Sequence, residues 1–382
     1  MGHPRFTTTT WAALGAAAFL AACGGDGADT TPQASVSIVK VMGDSLADSG
    51  TFGFKATVQG SAPTGTGSTP IWPERVAASY GKTLCPYYVS TGSTFDKAAT
   101  CTNYAVAGGR INYASAPTSP LSITQQMSDA GANGFTAQDL VLVDGGGNDA
   151  ADLIGAYLNA DSDGAATYGA LLKSLLPAAT VDAAFAGGAT GMATVGGAYM
   201  QALAAQFSGA ISANVLGKGA TRVAVLNMPG VYNTPRLQMV LASIKASAGD
   251  AAAAQVLALS RGWVEAFNTR LAADFAGNAK VVVVDFYTDL NDQVANPSQF
   301  GLSNSTTPVC PVTGMGGDGL PTYSFPACSA AALSAMAPPA GAAGGADWWK
   351  SYAFSDSFHP TPYGHQLMGQ MVSRSLSAAG WL

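Results

Sequence analysis

The sequence predicts an α/β fold, a three-layer, doubly wound arrangement around a mainly parallel five-stranded sheet with loop and helix insertions. Three observations predict it. Five short apolar runs are each bounded by Gly, Asn or Asp. Segments with helical spacing of apolar residues fall between them, the alternation that builds a parallel sheet. Polar residues able to do chemistry follow directly after the runs, and ligands in such sheets bind beyond the carboxyl ends of the strands.

Each element has its own signal. Ser37–Met42 (SIVKVM) reads as a strand entering the turn Gly43-Asp44-Ser45. A helical patch covers Trp72–Tyr80 within loop-rich sequence. Asn103–Ala107 is the second run and stops at Gly108-Gly109. Ile123–Ala132 has helical spacing. Asp139–Asp144 (DLVLVD) is the third run and ends in three glycines; Arg222–Asn227 (RVAVLN) and Lys280–Asp285 (KVVVVD) are the fourth and fifth. Most are apolar nearly throughout, as strands covered on both faces should be. Gly196–Leu216, Ala251–Phe275 and Thr361–Ala379 read as helices. In the second of these, Val256, Leu259, Trp263, Phe267 and Leu271 step by three or four, which marks a core face. Ala151–Gly197 and Gly314–Gly345 are Ala/Gly-rich insertions, the latter a candidate mobile lid. No internal repeat stands out.

Composition narrows the function. The chain has 382 residues, 48% hydrophobic and 10% charged, which suffices for a packed core. Its 46 Gly and 20 Pro lack a Gly-X-Y period and mean many loops. With 17 Lys plus Arg, a net charge of −6 and no basic cluster, nucleic-acid binding is set aside. Three histidines exclude a His-rich metal site.

The N-terminus reads as an address. Arg5 precedes the apolar stretch Trp11–Ala22, which is shorter than the roughly 20 residues of a spanning helix. The stretch ends Leu20-Ala21-Ala22-Cys23, resembling a bacterial lipobox in which Cys23 is lipidated; the alternative is ordinary cleavage near Ala22. The expected organisation is a leader over 1–22, a flexible tether over 23–35 and one domain over 36–382. The tether would reach roughly 20 Å. Such a leader implies export from a Gram-negative cell, to the outer membrane as a lipoprotein, with membrane contact through Cys23, or as a periplasmic or secreted protein. An oxidising compartment follows. Four further cysteines allow three pairings, and Cys85–Cys101 with Cys310–Cys328 are expected as nearest neighbours in loop sequence. Each would contribute about 3 kcal/mol by closing a short loop.

A serine nucleophile needs a base, an acid that orients it and oxyanion donors. Downstream of the leader only His359 and His365 are available. Asp356 lies three residues before His359, so its carboxylate can turn back to the ring. His365 has no carboxylate within four residues and reads as a helix-surface or packing residue. Ser45 follows a strand directly and is the best-placed nucleophile. The competing reading makes it a helix N-cap with Asp48 completing a capping box. The G-x-S-x-G nucleophile elbow is missing.

Gly43-Asp44-Ser45-Leu46 resembles block I of the SGNH/GDSL hydrolases, a family to which secreted bacterial GDSL esterases and lipases belong. Asn103 to Gly109 looks like their block II, Gly145-Gly146-Gly147-Asn148-Asp149 matches G-x-N-D of block III, and Asp356-Ser357-Phe358-His359-Pro360 matches D-x-x-H of block V. Asn227-Met228-Pro229-Gly230 to Thr234-Pro235 is similar to their N-x-P…TP segment, and Asn296-Pro297 to Phe300-Gly301 to another recurrent one. The order is right from about Val36 to the C-terminus. The resemblance implies the flavodoxin-like fold of that family, with Ser45 as nucleophile, His359 as base then acid, and Asp356 orienting it. The oxyanion donors would be the N–H of Ser45, the N–H of Gly108 and the side-chain amide of Asn148. Gly109 leaves the glycine ambiguous, with Gly108 preferred. Asp149 would hold the loop.

Other signals are weaker. Asn159–Gly164 imitates half an EF-hand, but the twelfth position is Ala170, so a solvated acidic loop is expected. Trp348, Trp349 and Phe354 either wall an acyl or aryl pocket or anchor the loop before His359. The expected function is a serine ester hydrolase acting through an acyl-enzyme on a small-molecule or lipid ester, with no cofactor and no metal. The alternatives are a lipid acyltransferase or phospholipase of the same fold, and a non-catalytic surface lipoprotein.

Overall fold

The computed structural model describes residues 35–382, and Gly2 at the start of the chain. The leader, Cys23 and the tether up to residue 34 lie outside the described residues. Along the chain, β1 (Ile38–Met42) leads to α1 (Trp72–Ser79), the hairpin β2–β3 (Tyr88–Ser90, Phe95–Lys97) and α2 (Ile123–Gly131). Then come β4 (Asp139–Val143), α3 (Gly147–Leu158), the short α4–α6 (Ala160–Asp163, Ala166–Lys173, Ala178–Ala186) and the long α7 (Gly188–Asn214). β5 (Val223–Leu226), α8 (Pro235–Ala248), α9 (Asp250–Asp274), β6 (Val281–Val284) and α10 (Phe286–Ala295) follow. The chain ends with the hairpin β7–β8 (Val312–Met315, Pro321–Tyr323), α11 (Ala330–Ala335) and α12 (Pro362–Ala378).

The central sheet is parallel, in the order β1-β4-β5-β6, with four strands where five were expected. The missing one is Asn103–Ala107. It does run beside β1, with the Tyr104 N–H donating to Val41 O (2.7 Å) and the Val106 N–H to Gly43 O (3.2 Å), but it makes a single bridge to that strand. The next rung is missing because the Gly43 N–H donates to Gln126 Oε1, while the Asn103 side chain meets groups off the ladder, its Oδ1 accepting from the Ala105 N–H and its Nδ2 donating to Ala47 O. The segment still lies on the side of β1 opposite β4. Winding therefore reverses between β1 and β4, the switch point where such sheets bind ligands.

Alternation along the strands divides the core. Val141, Val143, Val223 and Val225 face a layer formed by α2, α7 and α9, whereas Leu140, Leu142, Ala224 and Leu226 face α1, α10 and α12. Successive strand side chains point to opposite faces, so runs apolar at every position are what two covered faces require. In α9, Trp263, Phe267 and Leu271 are buried, and Val256 and Leu259 pack half-buried against the same core. The first Ala/Gly-rich insertion is helical and α7 begins at Gly188, well before the expected Gly196, because alanine favours helix without any apolar period.

Both expected disulfides form, Cys85–Cys101 and Cys310–Cys328. The second insertion carries β7–β8 and α11 over a small core of its own, with Trp348, Trp349, Leu333 and the second disulfide. Trp348 and Trp349 are anchors: their indole N–H groups donate to Leu333 O and Ser334 Oγ.

Candidate active site

Ser45 sits in the turn after β1, at the switch point. No helix follows it, so the N-cap reading fails. Asp48 instead accepts from the N–H groups of Gly50 and Thr51 with one oxygen and of Ala107 with the other, all at 2.8 Å, tying the turn to the Asn103–Gly109 segment. Gly43 is required for space, since a Cβ there would overlap the Asp144 carboxyl. That carboxyl accepts from the Asp44 N–H (3.2 Å). Burial raises the Asp44 carboxyl above the usual carboxylate range, against its bond from Leu46 and the charges of His359 and Arg110. Asp144 is pushed higher still, by burial and by Asp44.

His359 comes from the far end of the chain, on a tight turn closed by the Ser355 N–H to His359 O (2.7 Å). Asp356 lies inside that turn. Its Oδ1 accepts from the N–H groups of Phe358 (2.8 Å) and His359 (2.6 Å), and its two oxygens lie 3.0 and 2.9 Å from His359 Nδ1. His359 Nε2 is 2.7 Å from Ser45 Oγ. Burial would raise the Asp356 carboxyl, but His359 and the two backbone donors hold it below the usual range, so it is an anion and an acceptor. Nδ1 therefore carries the ring proton, and Nε2 accepts from the Ser45 hydroxyl. Burial opposes protonation of His359, yet Asp356, aided by Asp44, raises its pKa above 6.5. An imidazole must be deprotonated to act as a base, so any turnover that uses His359 as one is expected to rise with pH through an inflexion above 6.5 and fade below it. A kcat/KM profile on a neutral ester checks this.

The segments that carry the oxyanion donors expected from the sequence adjoin the Ser45 turn, since a Cβ on Gly109 would lie 3.3 Å from Asp44 Cα. Among the described residues, the N–H groups of Ser45 and Gly108 donate to no protein atom, whereas that of Gly109 donates to Val106 O. Gly108 has φ +84°, and a Cβ on Gly109 would lie 2.8 Å from Gly43 O, so each glycine is required for its own reason. Asn148, second residue of α3, gives one amide hydrogen to Gly109 O (2.9 Å) and keeps the other. Asp149 accepts from the N–H groups of Ile111 and Asn112, and burial raises its pKa to about 6 despite those bonds. It holds the loop.

Sequence reading missed three residues. Gln126, fully buried on α2, accepts from the Gly43 N–H (2.8 Å) and donates to Gly43 O (3.0 Å), clamping both sides of one residue. Arg110 forms a double contact with Asp152 on α3 and donates to Gly108 O (2.6 Å), fixing the Gly108 carbonyl. Phe325, in the loop closed by Cys310–Cys328, meets the His359 ring edge to face, as Phe358 does from another side (centroids 5.3 and 5.7 Å). A sequence signal existed only for Arg110, directly after Gly108-Gly109. His365 lies apart from this cluster. It is buried rather than on the helix surface, accepts from the Trp72 N–H, and is held neutral by burial. Asn159–Gly164 forms the short α4 instead of a loop, and among the described residues no group of His, Cys, Asp and Glu is placed to hold a metal.

The sequence model of the family described as GDSL-like Lipase/Acylhydrolase matches residues 39–372. Among solved structures, one described as the crystal structure of the lipase Lip_vut3 from goat rumen metagenome is similar at 13% identity, with a TM-score of 0.37, over 90% of this chain and 97% of that one. No curated protein matches the chain.

Proposed function

We propose, from the premise that the chain belongs to the GDSL-like lipase/acylhydrolase family and hydrolyses ester bonds, that Ser45 carries out that hydrolysis through an acyl-enzyme. The observation that carries the reading is the line Asp356–His359–Ser45, with contacts of 2.9 and 2.7 Å on opposite sides of one imidazole. The Ser45 hydroxyl passes its proton to His359 Nε2 while Oγ bonds to the ester carbonyl carbon. The oxygen that becomes negative takes hydrogen bonds from the N–H groups of Ser45 and Gly108 and the free amide hydrogen of Asn148. The tetrahedral adduct collapses, and His359 gives its proton to the departing alcohol. Water then enters, loses a proton to His359 and attacks the acyl carbon. The acid leaves and Ser45 recovers its hydrogen. Asp356 stabilises the imidazolium formed at each step.

Two experiments test this reading together. A fluorophosphonate should label the protein at Ser45, located by peptide mapping, and p-nitrophenyl acetate should be hydrolysed. Labelling at another serine, or none, overturns it. Asn148→Ala is expected to lower kcat by about 10²–10³-fold through loss of one oxyanion donor. Asn148→Asp also loses both the donor and the bond to Gly109 O and sets a carboxylate against the oxyanion, so it should be at least as slow. Steady-state kinetics on the same ester checks both.

A further inference from the structure

A groove of about 840 Å³ runs beside this site. One wall is α3, through Ala151, Ile154 and Leu158; the facing wall is α8, through Leu237, Val240 and Ile244. Met315 and Leu320 of the β7–β8 hairpin roof it. The one charged pair at its rim, Arg236 with Asp318, is mutually satisfied at 2.6 Å. Its inner end is Phe358, the residue before His359, whose ring also lies over Gly147 at the start of α3. Val231, Thr234 and Phe358 border both the groove and a cavity of about 40 Å³ that reaches Asp44 and Leu46, the two neighbours of Ser45. The groove therefore continues towards the reacting serine. From Ala151 to Leu158 it follows α3 for about 10 Å, at 1.5 Å per residue. Long, aliphatic and without an unpaired charge, it fits a hydrocarbon chain better than a sugar or an anion.

Gly155 lies midway along this wall. On α3, residues 151, 154, 155 and 158 share the face towards the groove. Glycine inside a helix costs stability relative to alanine. Here neither backbone nor packing asks for it: Gly155 has no left-handed φ, and a Cβ on it would meet nothing within 4 Å. Gly209 and Gly262 are equally unhindered, but they face solvent. What the missing side chain of Gly155 leaves open is the groove itself.

We infer that the groove receives the acyl chain of the ester and that Gly155 sets the length of chain accepted. This rests on the Ser45 reading above and adds to it the side of the substrate that each region holds. A side chain at 155 would stop the groove halfway, so short acyl groups would still fit and long ones would not.

The test compares wild type, Gly155→Leu and Gly155→Ala on p-nitrophenyl acetate, p-nitrophenyl laurate and dodecyl acetate. Gly155→Leu is expected to keep kcat/KM on p-nitrophenyl acetate within about twofold and to lower it on the laurate at least about tenfold, with dodecyl acetate unchanged. Gly155→Ala should fold at least as stably as wild type and lie between the two on the laurate. Val240→Phe fills the same space from α8 and should reproduce the loss if Gly155→Leu fails to fold. Equal rates on the laurate in all variants overturn the inference. So does a loss confined to dodecyl acetate, which would place the alcohol in the groove. A wild type that labels with fluorophosphonate and hydrolyses acetate but never laurate overturns the inference alone. A wild type that neither labels nor hydrolyses any of the three overturns the Ser45 reading and this inference with it.

Discussion

Ser45→Ala is expected to lower kcat on p-nitrophenyl esters on the order of 10⁶-fold, the cost of losing a nucleophile whose partners act as a unit. Among the described residues the Ser45 hydroxyl has one hydrogen-bond partner, His359 Nε2, so alanine removes the reacting oxygen and little else. The groups that hold the turn do not depend on it: Asp48, Gln126 and Asp144 all bind backbone on either side. Stability measured by urea unfolding should therefore change by no more than about 1 kcal/mol. The residual rate should exceed that of water, because the three proposed oxyanion donors remain. His359→Ala should cost nearly as much, and the double variant scarcely more than either alone. Turnover within tenfold of wild type in purified Ser45→Ala would mean that another group attacks the ester.

Most of this site could be read in the sequence, because its parts sit in short segments that carry their own signals. Gly43-Asp44-Ser45 follows an apolar run, and Asp356 lies three residues from His359, so local geometry already links them. The four sheet strands were legible for a similar reason. Two covered faces demand apolar residues at every position, and Gly, Asn or Asp marks each end. Asn103–Ala107 has a similar composition and still fails as a strand, since a distant side chain, Gln126, takes the Gly43 N–H that the next rung needs. The Ala-rich insertions were expected to carry helices, but their bounds were not legible, because alanine has helical propensity without periodicity. The supports were out of reach for a different reason. Gln126 is 83 residues from Gly43, and Phe325 meets His359 only because β7–β8 and the second disulfide fold back over the site. Nothing local distinguishes a glutamine that clamps a turn from one that faces water. The choice between Gly108 and Gly109 likewise needed the backbone: only one N–H is left free, and only the other glycine is pressed against Gly43 O.

Asp356→Asn separates orientation from nucleophilicity and should cost about 10⁴-fold in kcat. The substitution keeps shape. Its side-chain oxygen can still accept from the N–H groups of Phe358 and His359, so the turn that carries the histidine should persist. What changes is the face presented to Nδ1. An amide nitrogen there donates, Nδ1 must accept, and the ring proton moves to Nε2. Nε2 then faces Ser45 with a hydrogen instead of a lone pair, and the serine has no base. The same change reverses the electrostatics of the ring. With the anion gone, burial is the largest influence left on His359, and its pKa should fall from above 6.5 to below it. The pH profile of the residual activity should shift to lower pH accordingly, which a purely structural role for Asp356 would not produce. Because Ser45 is intact, fluorophosphonate should still label the variant, only slowly, where Ser45→Ala takes no label at that position. A variant with full activity, or an unshifted inflexion, would show that His359 is not oriented or charged through Asp356.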